Sequence, residues 1–459
     1  MRRDALLELG ATEAAALIRR RQISSTEIVQ AALERVDDLG ELTGAWATVI
    51  SEFALAEANR ADADLWTRDF TPGRLHGVPF GVKDVIDTAN VPTAAAFTPF
   101  RNRVPVEDAA VVAALKKAGA VLIGKTTTTQ FAFADPSSAR NPWARSRTAG
   151  GSSSGSAVAV ATGQVPLALG TQTGGSTLRP AAFNGVIGFK PTLGLVSTVG
   201  LLPLSWTLDH VGVLTRNIED VRTFIDVAAA RPVKQSAAAI GPQIVPPRLG
   251  LVVPALEEAC EEVRAHIRDL ANAFMAGGAI VVEVDFGLPL GLILAAQRLI
   301  VQVEAATVHR RLLERHASDY LPLLRACAEV GQVVPAHSYV DALRLRRLAA
   351  DRLEGQIARH QLDALLTPTV GSEAPGPETT GDPSLQNPFT LAGMPSISLP
   401  SGLSRNGLPL GVQFAARCGD DIQLLETARW CADHLEPIPA PAGISESPAG
   451  IIGRANHFR

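Results

Sequence analysis

Residues 148–178 read TAGGSSSGSAVAVATGQVPLALGTQTGGSTL and contain no charged side chain. A window this long and uncharged, yet too rich in Gly, Ser and Thr for a membrane span, belongs inside a folded domain. It holds two glycine-flanked serines, Gly150-Gly151-Ser152 and Gly174-Gly175-Ser176. Between them SAVAVATG reads as a small-residue helix and VPLALG as a buried strand. The first serine site therefore opens a helix and the second lies just past a strand. Helix starts and glycine turns present free backbone N–H groups, which a serine nucleophile needs to hold an oxyanion. The plainer reading is glycine–serine packing against a sheet.

Outward from this window, short β-rich runs (VPFGVK, AVLIG, VIGFK) alternate with small-residue helices and glycine turns from Gly73 onward. That alternation predicts an α/β fold with both sheet faces covered. Upstream, residues 11–39 have helical periodicity, with Ser25 or Thr26 as the cap of a second helix and Glu27 in its first turn. Downstream, residues 247–287 read as strand, long helix, strand, and residues 290–360 as mostly helical. DALLTPT, SISLP and LGVQFAA return to strand. The tract 371–384, GSEAPGPETTGDPS, is a turn-rich loop of a length that is often functional inside a compact domain.

Composition narrows the class. The 459 residues are 46% hydrophobic and 19% charged with a net charge of -4, a soluble globular balance with no pointer to nucleic acid or an anionic membrane. Cys260, Cys327, Cys418 and Cys431 have neither metal-ligand nor redox spacing, so buried structural thiols in a reducing cytoplasm are expected. Asp4 and Glu8 interrupt the stretch that a signal peptide would keep apolar. The apolar run Leu290–Val303 is broken by Gln297, Arg298 and Gln302, too short and too polar to span a membrane.

Two motifs mislead. GAVLIGKT, residues 119–126, fits G-x-x-x-x-G-K-[ST], but a helix-like run precedes Gly119 and a buried-strand run fills the gap between the glycines. Gly151-Ser152-Ser153-Ser154-Gly155 fits G-x-S-x-G, with Ser153 as nucleophile, but no apolar strand precedes it and no downstream histidine sits in a distinctive turn. More telling is GVPFGVKDVIDT, residues 77–88, where Lys83 ends an apolar strand. It pairs with Asp84 or Asp87, or it serves as a general base. The base role requires its pKa to fall from about 10.4 toward neutrality, ~4–5 kcal/mol, which burial and neighbouring donors can supply.

Taken together, the lysine segment, RNPW…GGSSSGSA and LGTQTGGSTLRPAAFNGVIGFKPT resemble the amidase signature family, and LDHVGVLTRNIEDV and NPFTLAGMPSISLPSGL resemble further blocks of it. The resemblance covers most of the chain. It implies one amidase domain over 1–459 with a large mixed, twisted β-sheet covered by helices on both faces. Within it, 1–65 would be N-terminal helices, 66–230 the signature core, 247–360 a helical excursion and 361–459 a return to the core sheet. By position it implies Ser176 as nucleophile, Ser152 as a cis-serine proton relay and Lys83 as base. Backbone N–H groups of Thr173, Gly174, Gly175 and Ser176 would hold the oxyanion, and Ser153 would be a supporting hydrogen-bonder. No cofactor and no metal are expected.

The chain departs from the family pattern at several places. Gln172 stands where Asp is common and Leu178 where Arg is common, with Arg179 next. Losing one member of a buried Asp/Arg pair would strand a charge; both are changed together, which implies a repacked support around an intact triad. Asn184 stands at a common Cys, Ser154 at a common Gly, and the segment from Phe131 to Asn141 is short. Pocket walls are expected from Phe131–Ser138, Leu202–Trp206, 295–345 and 371–389, with Phe131, Phe133, Trp206 and Asn184 as candidate substrate contacts. Three functions are open: an amidase for small carboxamides or anilides with ester and carbamate side activity, the glutaminase chain of a tRNA-dependent amidotransferase (its A component), and a binding protein on the same fold. The partner expected is a small-molecule amide, with no nucleic acid or membrane, in a cytoplasmic monomer or homodimer.

Overall fold

The apolar runs fold into eleven strands of one mixed sheet in the computed structural model, which describes residues 1–233 and 245–441. The strands are Trp46–Val49 (β1), Pro79–Lys83 (β2), Val121–Thr126 (β3), Leu167–Gln172 (β4), Ile187–Lys190 (β5), His210–Thr215 (β6), Arg248–Val252 (β7), Ile280–Val284 (β8), Ala364–Pro368 (β9), Ser396–Leu403 (β10) and Pro409–Ala415 (β11). Their order across the sheet is β1-β3-β2-β4-β6-β5-β10-β11-β9-β7-β8. Pairing is parallel for β2 with β3 and β4 and for β7 with β8 and β9, and antiparallel elsewhere. Every residue of β2, β3, β4, β6, β9 and β11 is buried, so helices cover both faces of the sheet's interior. The edge strand β8 is mostly exposed or half-buried instead, with only Val284 buried. Residues 442–459, part of the expected return segment, lie outside the described residues.

The charge-free window is buried throughout except at Ala161, Gly163 and Gly174. Its helix spans Ser154–Ala161 and its strand is β4. GAVLIGKT is the turn into β3 plus the strand itself; Lys125 is fully buried and donates to Ile86 O and Thr93 Oγ1. A phosphate cradle has no place there. The N-terminal cap is corrected by one residue: Ser24, not Ser25 or Thr26, caps helix Ser25–Thr43 through a reciprocal box with Glu27. Ser25 and Thr26 give their N–H groups to Asp62.

The expected long helix after β7 is broken at Cys260 into Val253–Glu257 and Glu261–Ala276. The helix from Leu290 runs to His316 inside the expected helical stretch and, against the expectation from its apolar run, is long and apolar enough to cross a membrane by length and composition alone. Here Ile293, Ile300 and Ala305 are buried in the core. Buried Glu304 on the same helix accepts from Ser205 Oγ (2.6 Å), Thr207 Oγ1 (2.8 Å) and Tyr339 OH (2.7 Å), tying the helix to the 201–209 loop. The thiols are free, but their burial was misjudged: Cys260 and Cys418 are exposed, Cys327 is half-buried and Cys431 alone of the four is buried. Wide spacing excludes clusters without saying which face of a helix a cysteine occupies.

Candidate active site

Parallel pairing of β2 with β4, in register at Val82 and Leu169, brings the carboxyl ends of the two strands side by side. Lys83 is the last residue of β2, and the turn from Thr173 to Ser176 follows β4. The site therefore lies off the carboxyl ends of neighbouring parallel strands, a common place for α/β sites.

Lys83 is fully buried and forms no ion pair with Asp84 or Asp87. Asp84 receives the N–H groups of Ala94 and Ala95 and faces Lys125, while Asp87 is paired with Arg103. Lys83 Nζ instead donates to Ser152 Oγ at 2.6 Å and Thr171 Oγ1 at 2.7 Å. Desolvation holds its pKa well below the ordinary lysine value, opposed by the charge of Asp209 and assisted by that of Arg179. The Gly151–Ser152 peptide bond is cis. Ser153 N donates to Ser176 O at 3.1 Å, joining the two serine segments backbone to backbone. Ser153 Oγ accepts from Thr171 N and donates to Thr171 O. Both its polar groups are thus occupied in fastening the end of β4.

Thr173, Gly174, Gly175 and Ser176 donate no backbone hydrogen bond to protein among the described residues, which leaves four N–H groups at one turn. Thr173 is held from both sides: its Oγ1 donates to Asp209 (2.5 Å) and its carbonyl accepts from Gln297 Nε2 (2.9 Å). Burial raises the pKa of Asp209 to about 6, against the hydrogen bonds from Thr173, Leu204 and Ser205. Among the described residues no group of three or more His, Cys, Asp or Glu converges to hold a metal.

Gln172 explains how the support is rebuilt. Its Oε1 accepts from Thr177 N (2.9 Å) and Leu178 N (3.1 Å), and its Nε2 donates to Thr390 Oγ1 (2.9 Å). Thr390 Oγ1 in turn lies 2.6 Å from Gly174 O. A neutral amide bridges both sides of the turn and needs no counter-ion, so Leu178 is free to be apolar and fully buried. Gln172→Met strips these bonds from a buried site and should cost about 1–3 kcal/mol. A urea midpoint unchanged from wild type would show that the bridge holds nothing.

A cavity of about 520 Å³ opens over Ser176. Ala132–Ala134, Leu204, the helices around 294–330 and the 380–387 loop all contribute to its wall, and Phe133 is among them. Three candidate contacts are placed elsewhere. Phe131 packs its ring against His309 (4.6 Å) and Phe97 (4.9 Å) in an aromatic cluster. Trp206 is 51% exposed and off the cavity. Asn184 Nδ2 donates to Ala149 O and Pro180 O, bracing the chain before Gly150. Thr171 and Asp209 were not anticipated, and Gln297 and Asn387 lie on expected wall segments without having been named. Period-2 alternation along β4 could have put Thr171 and Thr173 on one face; nothing local marks the other residues.

The Amidase family model matches residues 27–425. The chain is 38% identical over 451 residues to the protein named AmiD of Mycobacterium tuberculosis (strain ATCC 25618 / H37Rv), covering 91% of this chain and 92% of that one. It is 34% identical over 490 residues to the A component of the glutamyl-tRNA(Gln) amidotransferase of Anaeromyxobacter sp. (strain K), covering 95% and 98%. A crystal structure of an amidase superposes with a TM-score of 0.85 at 33% identity, covering 93% of this chain and all of that one.

Proposed function

The chain belongs to the amidase family of amide-hydrolysing enzymes, and on that premise we propose that it cleaves small carboxamides or anilides through an acyl-enzyme on Ser176. Neutral Lys83 takes the proton of Ser152, Ser152 takes that of Ser176, and Ser176 Oγ adds to the carbonyl carbon. The N–H groups of Thr173, Gly174, Gly175 and Ser176 are the donors for the oxyanion. Collapse of the tetrahedral adduct breaks the C–N bond, and the leaving nitrogen recovers a proton through Ser152. Water then adds to the ester by the same relay and frees the acid and Ser176. Esters and carbamates share this acyl transfer and are side substrates.

One observation carries this reading. Lys83, fully buried beside a cavity floored by Ser176, spends its hydrogen bonds on two hydroxyls and none on a carboxylate. A buried lysine kept for structure is held by a carboxylate or by backbone carbonyls, as Lys190 is by Met394 O and Pro191 O, rather than by hydroxyls alone. The test is a hydrolysis panel of primary amides, anilides, esters and carbamates, combined with fluorophosphonate labelling of Ser176. Absence of both turnover and labelling would favour a binding protein on this fold. Ser152→Ala should lower kcat by about a hundredfold or more and slow labelling; wild-type rates would remove Ser152 from the relay.

The likeness to the amidotransferase component favours a second reading, release of ammonia from glutamine for a partner. Glutaminase activity that appears only with partner proteins, without hydrolysis of anilides by the chain alone, would select it.

A further inference from the structure

Arg179 is a buried cation with no ion pair among the described residues. It is 4% exposed on the helix Leu178–Asn184 and is part of the wall of the cavity over Ser176. Its Nη2 donates to Gly151 O (2.8 Å) and Thr380 Oγ1 (3.2 Å). Its Nε is buried with no partner, and its Nη1 makes no protein hydrogen bond among the described residues. No carboxylate forms an ion pair with it there. Asp382 is near enough to act on it through space, yet that carboxylate is exposed and accepts from Ser384 N and Oγ, both at 2.9 Å. Burial lowers the Arg179 pKa only to about 10, so the group is a cation at neutral pH. A buried guanidinium with two unused N–H directions is costly to keep unless something supplies the missing acceptor.

The missing acceptor has a definite address. Arg179 N donates to Gly175 O at 2.9 Å, so Arg179 follows Ser176 by a single turn. Residues three apart in a helical turn are neighbours, which puts the guanidinium within a few atoms of a carbonyl bound at Ser176. Arg298, exposed and also without an ion pair among the described residues, lines the same cavity and adds to its positive potential. Asn387 lines the same cavity and makes no side-chain hydrogen bond among the described residues, its Oδ1 lying buried against Gly174.

The geometry points to Arg179 as a carboxylate-binding residue: the cavity takes short amides that carry an ionised carboxylate a few atoms from the scissile carbonyl. The guanidinium offers its unpartnered Nη1 to a carboxylate in the cavity while Nη2 keeps its hold on Gly151. Selection then works in both directions. A neutral substrate leaves Nη1 unsatisfied, and a cationic one is repelled. This rests on the acyl-enzyme reading only in placing the scissile carbonyl at Ser176.

Binding to the Ser176→Ala protein, measured calorimetrically, tests it without turnover. Succinamate and glutaramate place the carboxylate on the acyl side, and N-acetyl-β-alanine places it on the leaving-amine side. Each is compared with a neutral methyl ketone of the same length. The carboxylate of at least one pair should bind about tenfold or more tighter, and that pair identifies the side. Arg179→Gln in the same background should bring the ratio close to one. Equal binding within every pair overturns the proposal, and so does collapse of the ratio on Arg298→Gln but not on Arg179→Gln. The first comparison leaves Arg179 intact, so it decides even if Arg179→Gln fails to fold. Because no acyl-enzyme forms in this protein, failure here leaves the acyl-transfer reading standing. Conversely, inactivity of the wild-type chain toward every amide would sink acyl transfer without touching the binding ratios.

Discussion

Ser176→Ala is expected to lower amide hydrolysis by about 10,000-fold or more and to abolish fluorophosphonate labelling, with folding unchanged. The size follows from removing a nucleophile whose partners then have nothing to activate; such units lose most of their effect when one member goes. Folding should survive because the turn is held by its backbone and by its neighbours. Ser176 O receives Ser153 N, Thr173 is fixed by Asp209 and Gln297, and Gln172 bridges to Thr177 and Leu178. None of these contacts uses Ser176 Oγ. Residual activity near wild type would move the nucleophile elsewhere, and Ser153 would be a poor alternative because both its polar groups are already engaged with Thr171.

Lys83→Ala is the second large effect, a fall in kcat/KM of about 100- to 10,000-fold, the range for losing a general base. The sign of the pH dependence separates a base from a structural cation. Only neutral Lys83 can accept the Ser152 proton, so activity must decline as the pH drops through the Lys83 pKa. Burial depresses that pKa well below the ordinary lysine value, so the acid limb of the profile should lie well below pH 10 and activity should persist near neutrality. Asp209, whose charge raises the Lys83 pKa, sets how far the limb can move. Lys83→Arg keeps the charge but cannot lose its proton near neutral pH. It should be as inactive as Lys83→Ala; substantial activity in the arginine variant would exclude the base role.

Why the two serine segments were legible while the support around them was not is a matter of distance along the chain. A long uncharged run with two glycine-flanked serines can only be interior, and alternation of short apolar runs with helices can only be a covered sheet. Both readings depend on local composition and period. Asp209, Gln297, Thr380 and Asn387 reach the site from distant loops and helices, and no window of sequence contains them together with Ser176. The same holds for the misplaced pocket candidates. Phe131 and Trp206 lie on the expected wall segments, but the segment alone does not say which side chain turns inward. Phe131 went to an aromatic cluster behind the wall and Trp206 to solvent.

Some local details also depend on tertiary packing. The cap shifted from Ser25 or Thr26 to Ser24 because Asp62, from a different helix, takes the N–H groups of Ser25 and Thr26. The pairing of Lys83 with Asp84 or Asp87 was plausible by adjacency. It fails because β2 buries Lys83 on the side of Ser152 and Thr171, while the following turn points the two acids at Ala94, Ala95 and Arg103.

The amino-acid sequence by itself pointed to a covered α/β sheet and singled out Lys83, Ser152 and Ser176 as candidate site residues. Glycine spacing, missing charge and an isolated lysine at a strand end are properties of short stretches. Only the tertiary structure decided what those residues face. Burial, which lowers the lysine's proton affinity and encloses Arg179 without an ion pair among the described residues, is produced by segments far apart in sequence closing over one cavity.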